Sequence, residues 1–139
     1  MRILLIEDND AIAEIVRRSV ALFSLPTDKF TLEYASDGIT GLQVARTNTF
    51  DGYLIDLDLP DINGLQVGLA LGHLMQRDRI PRGWLAAVTA QSDAMTKQRA
   101  RDLGFNAFLA KPFSPSALSL LLRRFDSSAT DKAEIGIGH

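Results

Sequence analysis

Five times along its 139 residues, this chain follows a short apolar run with a stretch of helical period. The runs are "RILLI" (2–6), "FTLEYA" (30–35), "GYLID" (52–56), "WLAAVT" (84–89) and "NAFLA" (106–110). Continuous apolar runs of this length suit strands buried on both faces. Five strands alternating with helices predict an α/β domain: a parallel sheet with helices on both faces and right-handed crossovers. The length suffices for one domain with a real core and not comfortably for two.

Local signals bound the helices. Ile12, Ile15, Val16, Ser19, Val20 and Phe23 recur at helical spacing, and Leu25-Pro26 ends that helix. Asp37 is positioned to cap a helix running to about Asn48, with Ile39, Leu42, Gln43 and Val44 on its inner face. Asn63 caps "GLQVGLALGHLMQ", and Ser92 caps "DAMTKQRARDLG", which Gly104 stops. Ser114-Pro115 opens the last helix, "SALSLLLRR". Gly64, Gly68 and Gly72 fall on one helix face. An interior glycine costs roughly 0.5–1 kcal/mol relative to alanine, so this spacing predicts close helix–sheet packing. From about Asp126, "DSSATDKAEIGIGH" is polar, small and aperiodic. The expected organisation is a domain at 1–125 and a mobile tail at 126–139.

Composition excludes several function classes. A net charge of -2 provides no global basic field for nucleic acid. The absence of cysteine excludes a disulfide scaffold and a thiolate metal site. The apolar run near the N-terminus is only "ILLI" before acids begin, too short for a secretory signal. No run approaches the roughly 18 residues of a membrane span. The expectation is a soluble cytoplasmic domain without direct nucleic-acid or membrane binding.

In open parallel sheets, ligands bind beyond the carboxyl ends of the strands. The first strand delivers Glu7 and Asp8 there; the third delivers Asp56, with Asp58 in the loop. The fourth delivers Thr89, and the fifth Lys111, followed by Pro112. Carboxylates crowded in a dry site repel one another and need neutralising. A hard cation such as Mg2+ takes such oxygens, and a lysine adds positive charge. With a hydroxyl to orient one oxygen, the set suits phosphoryl transfer onto a carboxylate, giving an aspartyl phosphate. Asp61 reads as a turn residue beside Pro60, and His73 and His139 as solvated or structural.

At these residues the chain resembles the receiver domain of two-component response regulators, over about 1–125. The resemblance rests on "LLIEDN", "YLIDLDLPDINGL", "AVTA" and "FLAKPF", in that order. It implies the flavodoxin-like strand order 2-1-3-4-5. It further implies Asp56 as phosphoacceptor, with Asp8 as direct Mg2+ ligand and Glu7 acting through water. The Asp58 backbone carbonyl is implied as a further metal ligand. Thr89 matches the switch hydroxyl, Lys111 the phosphoryl-contacting lysine, and Phe108 the switch aromatic. Asp58 and Gln91 match positions that tune phosphoryl lifetime. The implied donor is a histidine kinase or histidine phosphotransfer protein, docking in part through the first helix. The downstream target is not specified, and a homodimer through the fourth helix, fifth strand and last helix is one implied output. The implied protein is a phosphoacceptor that assists its own phosphotransfer rather than an enzyme. Two other readings compete. One is a phosphorylation-independent interaction module. The other is a haloacid-dehalogenase-type phosphatase, suggested by Asp56-Leu57-Asp58, although the acidic pair here lies upstream. About 14 residues after the last predicted helix are too few for a helix-turn-helix, so the expectation is a stand-alone receiver or a piece of a longer regulator.

Overall fold

The computed structural model describes residues 1–24, 30–91 and 93–138, with side chains through Asp126. The elements are β1 (Arg2–Ile6), α1 (Asp10–Phe23), β2 (Thr31–Ala35), α2 (Gly38–Thr47) and β3 (Gly52–Asp56). They continue with α3 (Gly64–Gln76), β4 (Trp84–Thr89), α4 (Ala94–Asp102), β5 (Ala107–Ala110) and α5 (Pro115–Gly138). The strands form one five-stranded parallel sheet in the order β2-β1-β3-β4-β5. Both features match expectation.

Strand alternation divides the core between the two sheet faces. Leu4, Ile6, Tyr53 and Ile55 point to the side covered by α2 and α3, where Val67 and Leu71 meet them. Ile3, Leu5 and Leu54 point to the side of α1 and α5, against Val16, Val20, Leu118 and Leu122. β3 and β4 are buried along their whole length, which explains their uninterrupted apolar sequence. Trp84 stacks flat on Phe125, centroids 4.3 Å apart, and so ties α5 to the start of β4. Gly52 makes room for that indole, because any Cβ there would overlap the Trp84 ring.

Most expected caps are in place. Asp37 accepts from Thr40 N–H, Asn63 from Leu65 N–H, and Ser114 Oγ from Ala117 N–H. Gly104 follows the α4 C-cap with φ +97°, a backbone conformation that favours glycine.

Other expectations are corrected. The cap of α4 is Asp93, which accepts from Thr96 N–H; Ser92 lies outside the described residues. An aspartate one position nearer the periodic stretch wins the same role. Leu25-Pro26 and His139 also lie outside the described residues. On α2, Leu42 and Val44 pack against the core as expected and Gly38, Gly41 and Ala45 are the fully buried positions, whereas Ile39 is 53% exposed and Gln43 is exposed. Small residues face inward because Ile6 and Ile62 fill the space beside Gly41 and Gly38. Of the glycines on α3, Gly64 and Gly68 have the packing reason expected. A Cβ at Gly64 would land on the Asp56 carbonyl, and one at Gly68 on the Phe105 ring. Gly72 has open space beside it. Finally, the helical backbone of α5 does not stop near Asp126 but continues to Gly138. Ala129, Lys132, Ala133 and Glu134 are strong helix formers, so helical propensity outlasts the apolar periodicity.

Candidate functional site

The sheet order places β1, β3 and β4 side by side, so their carboxyl ends open onto one point. The ladder continues past Asp56: Leu57 N–H donates to Val88 O at 3.0 Å. This holds Asp56 at the end of a rigid strand with its side chain buried, 1% exposed. Gly64 backs it directly, its N–H donating to Leu57 O at 3.1 Å. Glu7 follows β1 and is fully buried; its N–H donates to Ala35 O, and Asn9 N–H donates to its Oε2 at 3.2 Å. Asn9 also caps α1 through Ile12 N–H, so one residue fixes both the helix start and the acid beside it. An asparagine just before an apolar helical period was the sequence signal for that cap.

Lys111 supplies the positive charge. Its Nζ lies 2.8 Å from Glu7 Oε1 and 3.4 Å from Asp56 Oδ1. Its backbone N–H donates to Thr89 O at 2.8 Å, which ties the start of the β5–α5 loop to the end of β4. The Lys111–Pro112 peptide is cis. Asp56 Oδ1 also accepts from Asp58 N–H at 2.9 Å. Thr89 is buried, its Oγ1 accepting from Gln91 N–H at 3.0 Å and approaching Asp58 Oδ2 at 3.4 Å. Glu7, Asp8, Asp56, Asp58, Thr89, Gln91 and Lys111 therefore meet at one mouth. Phe108 sits beside Ala87 in the β4–β5 register and is half-buried, with Lys97 Nζ 5.6 Å from its ring centroid.

Electrostatics follow from this packing. Burial, then a hydrogen bond shared with Glu7, pushes the Asp56 carboxyl up to about 7; the Asp58 N–H and Lys111 pull the other way. Burial alone would pull the Lys111 ammonium down, but Glu7 and Asp56 outweigh it and hold it above its usual range. Glu7, Asp8 and Asp56 each offer a carboxylate oxygen, all within 4.8 Å of one another. Three anionic oxygens, one set exposed on Asp8, fit a hard divalent cation such as Mg2+.

Asp61 does more than turn the chain. Its carboxylate accepts from Gly38 N–H at 2.9 Å and Ile39 N–H at 2.8 Å, joining the loop after β3 to the start of α2. Sequence reading missed this because the partners lie 22 and 23 positions away.

Among the described residues, no helix is long and apolar enough to cross a membrane. A family model for the response regulator receiver domain matches residues 3–123. Response regulator ArlR of Staphylococcus saprophyticus is 30% identical over 122 residues, covering 88% of this chain and 50% of that protein. Transcriptional regulatory protein CreB of Escherichia coli K12 is 30% identical over 139 residues, covering 97% and 56%. The chain thus spans about half the length of these relatives. A CheY-like receiver domain from Methanospirillum hungatei superposes with a TM-score of 0.77 at 21% identity, covering 94% and 97%. The receiver domain of sensor histidine kinase PA1611 from Pseudomonas aeruginosa, solved with magnesium coordinated in its active-site cleft, gives 0.74 at 25% identity, covering 89% and 95%. The match across 3–123 sets aside the phosphatase reading of Asp56-Leu57-Asp58. With the strand order, the buried acids and the lysine agreeing, this chain belongs to the response-regulator receiver domain family of two-component signalling.

Proposed function

We propose that Asp56 accepts a phosphoryl group from a phosphohistidine on a partner kinase or phosphotransfer protein, and that the product drives a conformational switch. One observation carries this reading: a buried carboxylate at a strand end, held between a second buried acid and a lysine 3.4 Å away. Asp56 attacks phosphorus, an O–P bond forms, and the N–P bond to the donor imidazole breaks. Lys111 holds the phosphoryl oxygens, and its rigid tie to Thr89 keeps it aimed. Glu7 and Asp8, with Asp56 and the Asp58 backbone carbonyl, would hold Mg2+, which supplies neutralisation of the transferring phosphoryl oxygens. The protein assists its own modification and does not turn over an external substrate.

As a donor, Thr89 Oγ1 makes a long contact to Asp58 Oδ2, so a phosphoryl oxygen offers its hydroxyl proton a better partner. Moving it vacates space toward which Phe108 rotates, changing the face formed by α4, β5 and α5. A downstream protein, a second copy of this chain included, reads that face. Shifting the active population from about 1% to about 99% requires about 5.5 kcal/mol of preference. Docking of the donor through α1 is supported by an apolar hollow of about 230 Å3 beside Lys111, lined by Ile12, Ile15, Pro112 and Phe113. A cytoplasmic location follows from a kinase donor.

Intact mass after incubation with Mg2+ and acetyl phosphate tests the reading. One added phosphoryl group in the wild type, absent in Asp56→Asn, is the expected result. An equal gain in both proteins refutes the assignment of Asp56. No gain in either, repeated with a phosphorylated histidine phosphotransfer protein as donor, favours a phosphorylation-independent module.

A further inference from the structure

We propose that the end of the domain opposite Asp56 carries a second anion site, built by Arg46, Arg77 and Arg79 and suited to a compact diphosphate. The three arginines and Leu74 line one hollow of about 430 Å3. They come from separate places: Arg46 from the last turn of α2, Arg77 from the C-cap of α3, and Arg79 from the loop toward β4. Helices in βα units run back toward the amino ends of the strands, so this hollow lies at the opposite end of the sheet from the phosphoacceptor.

The loop backbone is folded to place Arg79 here. Asp78 takes φ +56°, donating its N–H to Met75 O, while Arg79 N–H reaches back to Leu74 O at 2.9 Å. This is the Schellman arrangement, in which the residue at the Arg79 position commonly lays an apolar side chain on the one at the Leu74 position. Here a guanidinium stands there instead, next to two more.

Charge then points to a ligand. Arg2, Arg17 and Arg18 each have a carboxylate partner. Among the described residues, Arg46, Arg77 and Arg79 have none within ion-pair distance. Two helix carboxyl ends contribute about half a negative charge each and Asp78, between Arg77 and Arg79, contributes one more, which leaves a surplus of about one positive charge. Guanidinium forks match phosphate oxygens in pairs, and the hollow is within the size range of small-ligand sites. A diphosphate satisfies the surplus, and the Leu74 side chain gives an organic portion an apolar wall.

The test is a two-dimensional amide NMR titration with inorganic pyrophosphate and, separately, ADP, in EDTA at low salt. Saturable shifts at Arg46, Arg77, Asp78 and Arg79 are expected in the wild type and equally in Asp56→Asn. Arg79→Gln and Arg46→Gln, whose side chains are exposed, should keep an unfolding midpoint close to that of the wild type and bind at least about tenfold more weakly. No saturation by about 10 mM of either probe overturns the proposal. So do shifts confined to the Asp56, Thr89 and Lys111 end, or undiminished binding by both arginine variants.

Discussion

Replacing Lys111 with methionine tests the electrostatic account of the site, because it keeps most of the side-chain volume and removes the charge. Nζ lies 2.8 Å from Glu7 and 3.4 Å from Asp56, and both acids are essentially out of water. At an effective dielectric of about 20, these two attractions come to roughly 6 and 5 kcal/mol. The desolvation of three charged groups offsets much of that sum, and breaking a buried pair by removing one partner typically costs about 3–5 kcal/mol. The loss should depend on pH. Asp56 has its carboxyl raised to about 7 against an unfolded value of 3.8, so the folded protein keeps a proton that the unfolded chain gives up. Stability contributed by that proton is present at low pH and is lost as pH rises through the folded value. Without Lys111, the attraction that lowers the Asp56 value disappears, and the proton is held to still higher pH. At pH 5 Asp56 keeps its proton and needs no counter-charge, so the Lys111→Met deficit in urea unfolding under EDTA should be smaller than at high pH. Above pH 8 it should reach about 3–5 kcal/mol. Adding Mg2+ should recover more stability at pH 8 than at pH 5, in wild type and variant alike. Equal deficits at pH 5 and pH 8.5 would refute the charge argument and leave Lys111 a packing role.

Gly64→Ala forces a Cβ into the Asp56 carbonyl; it should cost about 1–3 kcal/mol in urea unfolding and slow phosphorylation by acetyl phosphate. Gly72→Ala, with open space beside it in the same helix, should stabilise by about 0.5–1 kcal/mol in the same assay. Asp61→Asn should lower the thermal midpoint at neutral pH. Burial opposes ionisation of Asp61, but the N–H groups of Ile39 and Gly38 outweigh it and hold the carboxyl below its usual range. Its contribution is therefore full above the unfolded value, and the two midpoints should converge as pH falls through the folded one. Asp58→Asn should change the rate of phosphoryl loss measured by mass, because Asp58 faces Thr89 at the mouth where water must enter; equal rates would remove Asp58 from the tuning role.

The fold was legible because β3 and β4 are buried on both faces and their sequences carry nothing but apolar residues until the last position. Caps were legible at Asp37, Asn63 and Ser114, but Asn9 and Asp93, which cap at the same short spacing, were missed, since each stands among other polar residues. The inner face of α2 was legible only in part. Leu42 and Val44 pack on the core as their spacing suggests, but Ile39 does not: Ile6 and Ile62 fill the space beside the helix, and the fully buried positions are Gly38, Gly41 and Ala45. Helix faces are decided by the volume of the neighbour, which the helix's own sequence does not contain.

The site divides in the same way, and the division has a physical cause. Residues that carry charge to the mouth sit at strand ends, and a parallel sheet brings strand ends together whatever lies between them. Glu7, Asp56, Thr89 and Lys111 could therefore be assembled from sequence across more than 100 positions. The groups that aim those side chains act through backbone atoms: Asn9 N–H on Glu7, Asp58 N–H on Asp56, and Lys111 N–H on Thr89. Every residue except proline has such an N–H, so residue type says nothing about which one is used. Gly64 is the exception that shows the rule. A Cβ there would meet the Asp56 carbonyl, so within this site the backbone requirement at that position leaves a mark in the sequence.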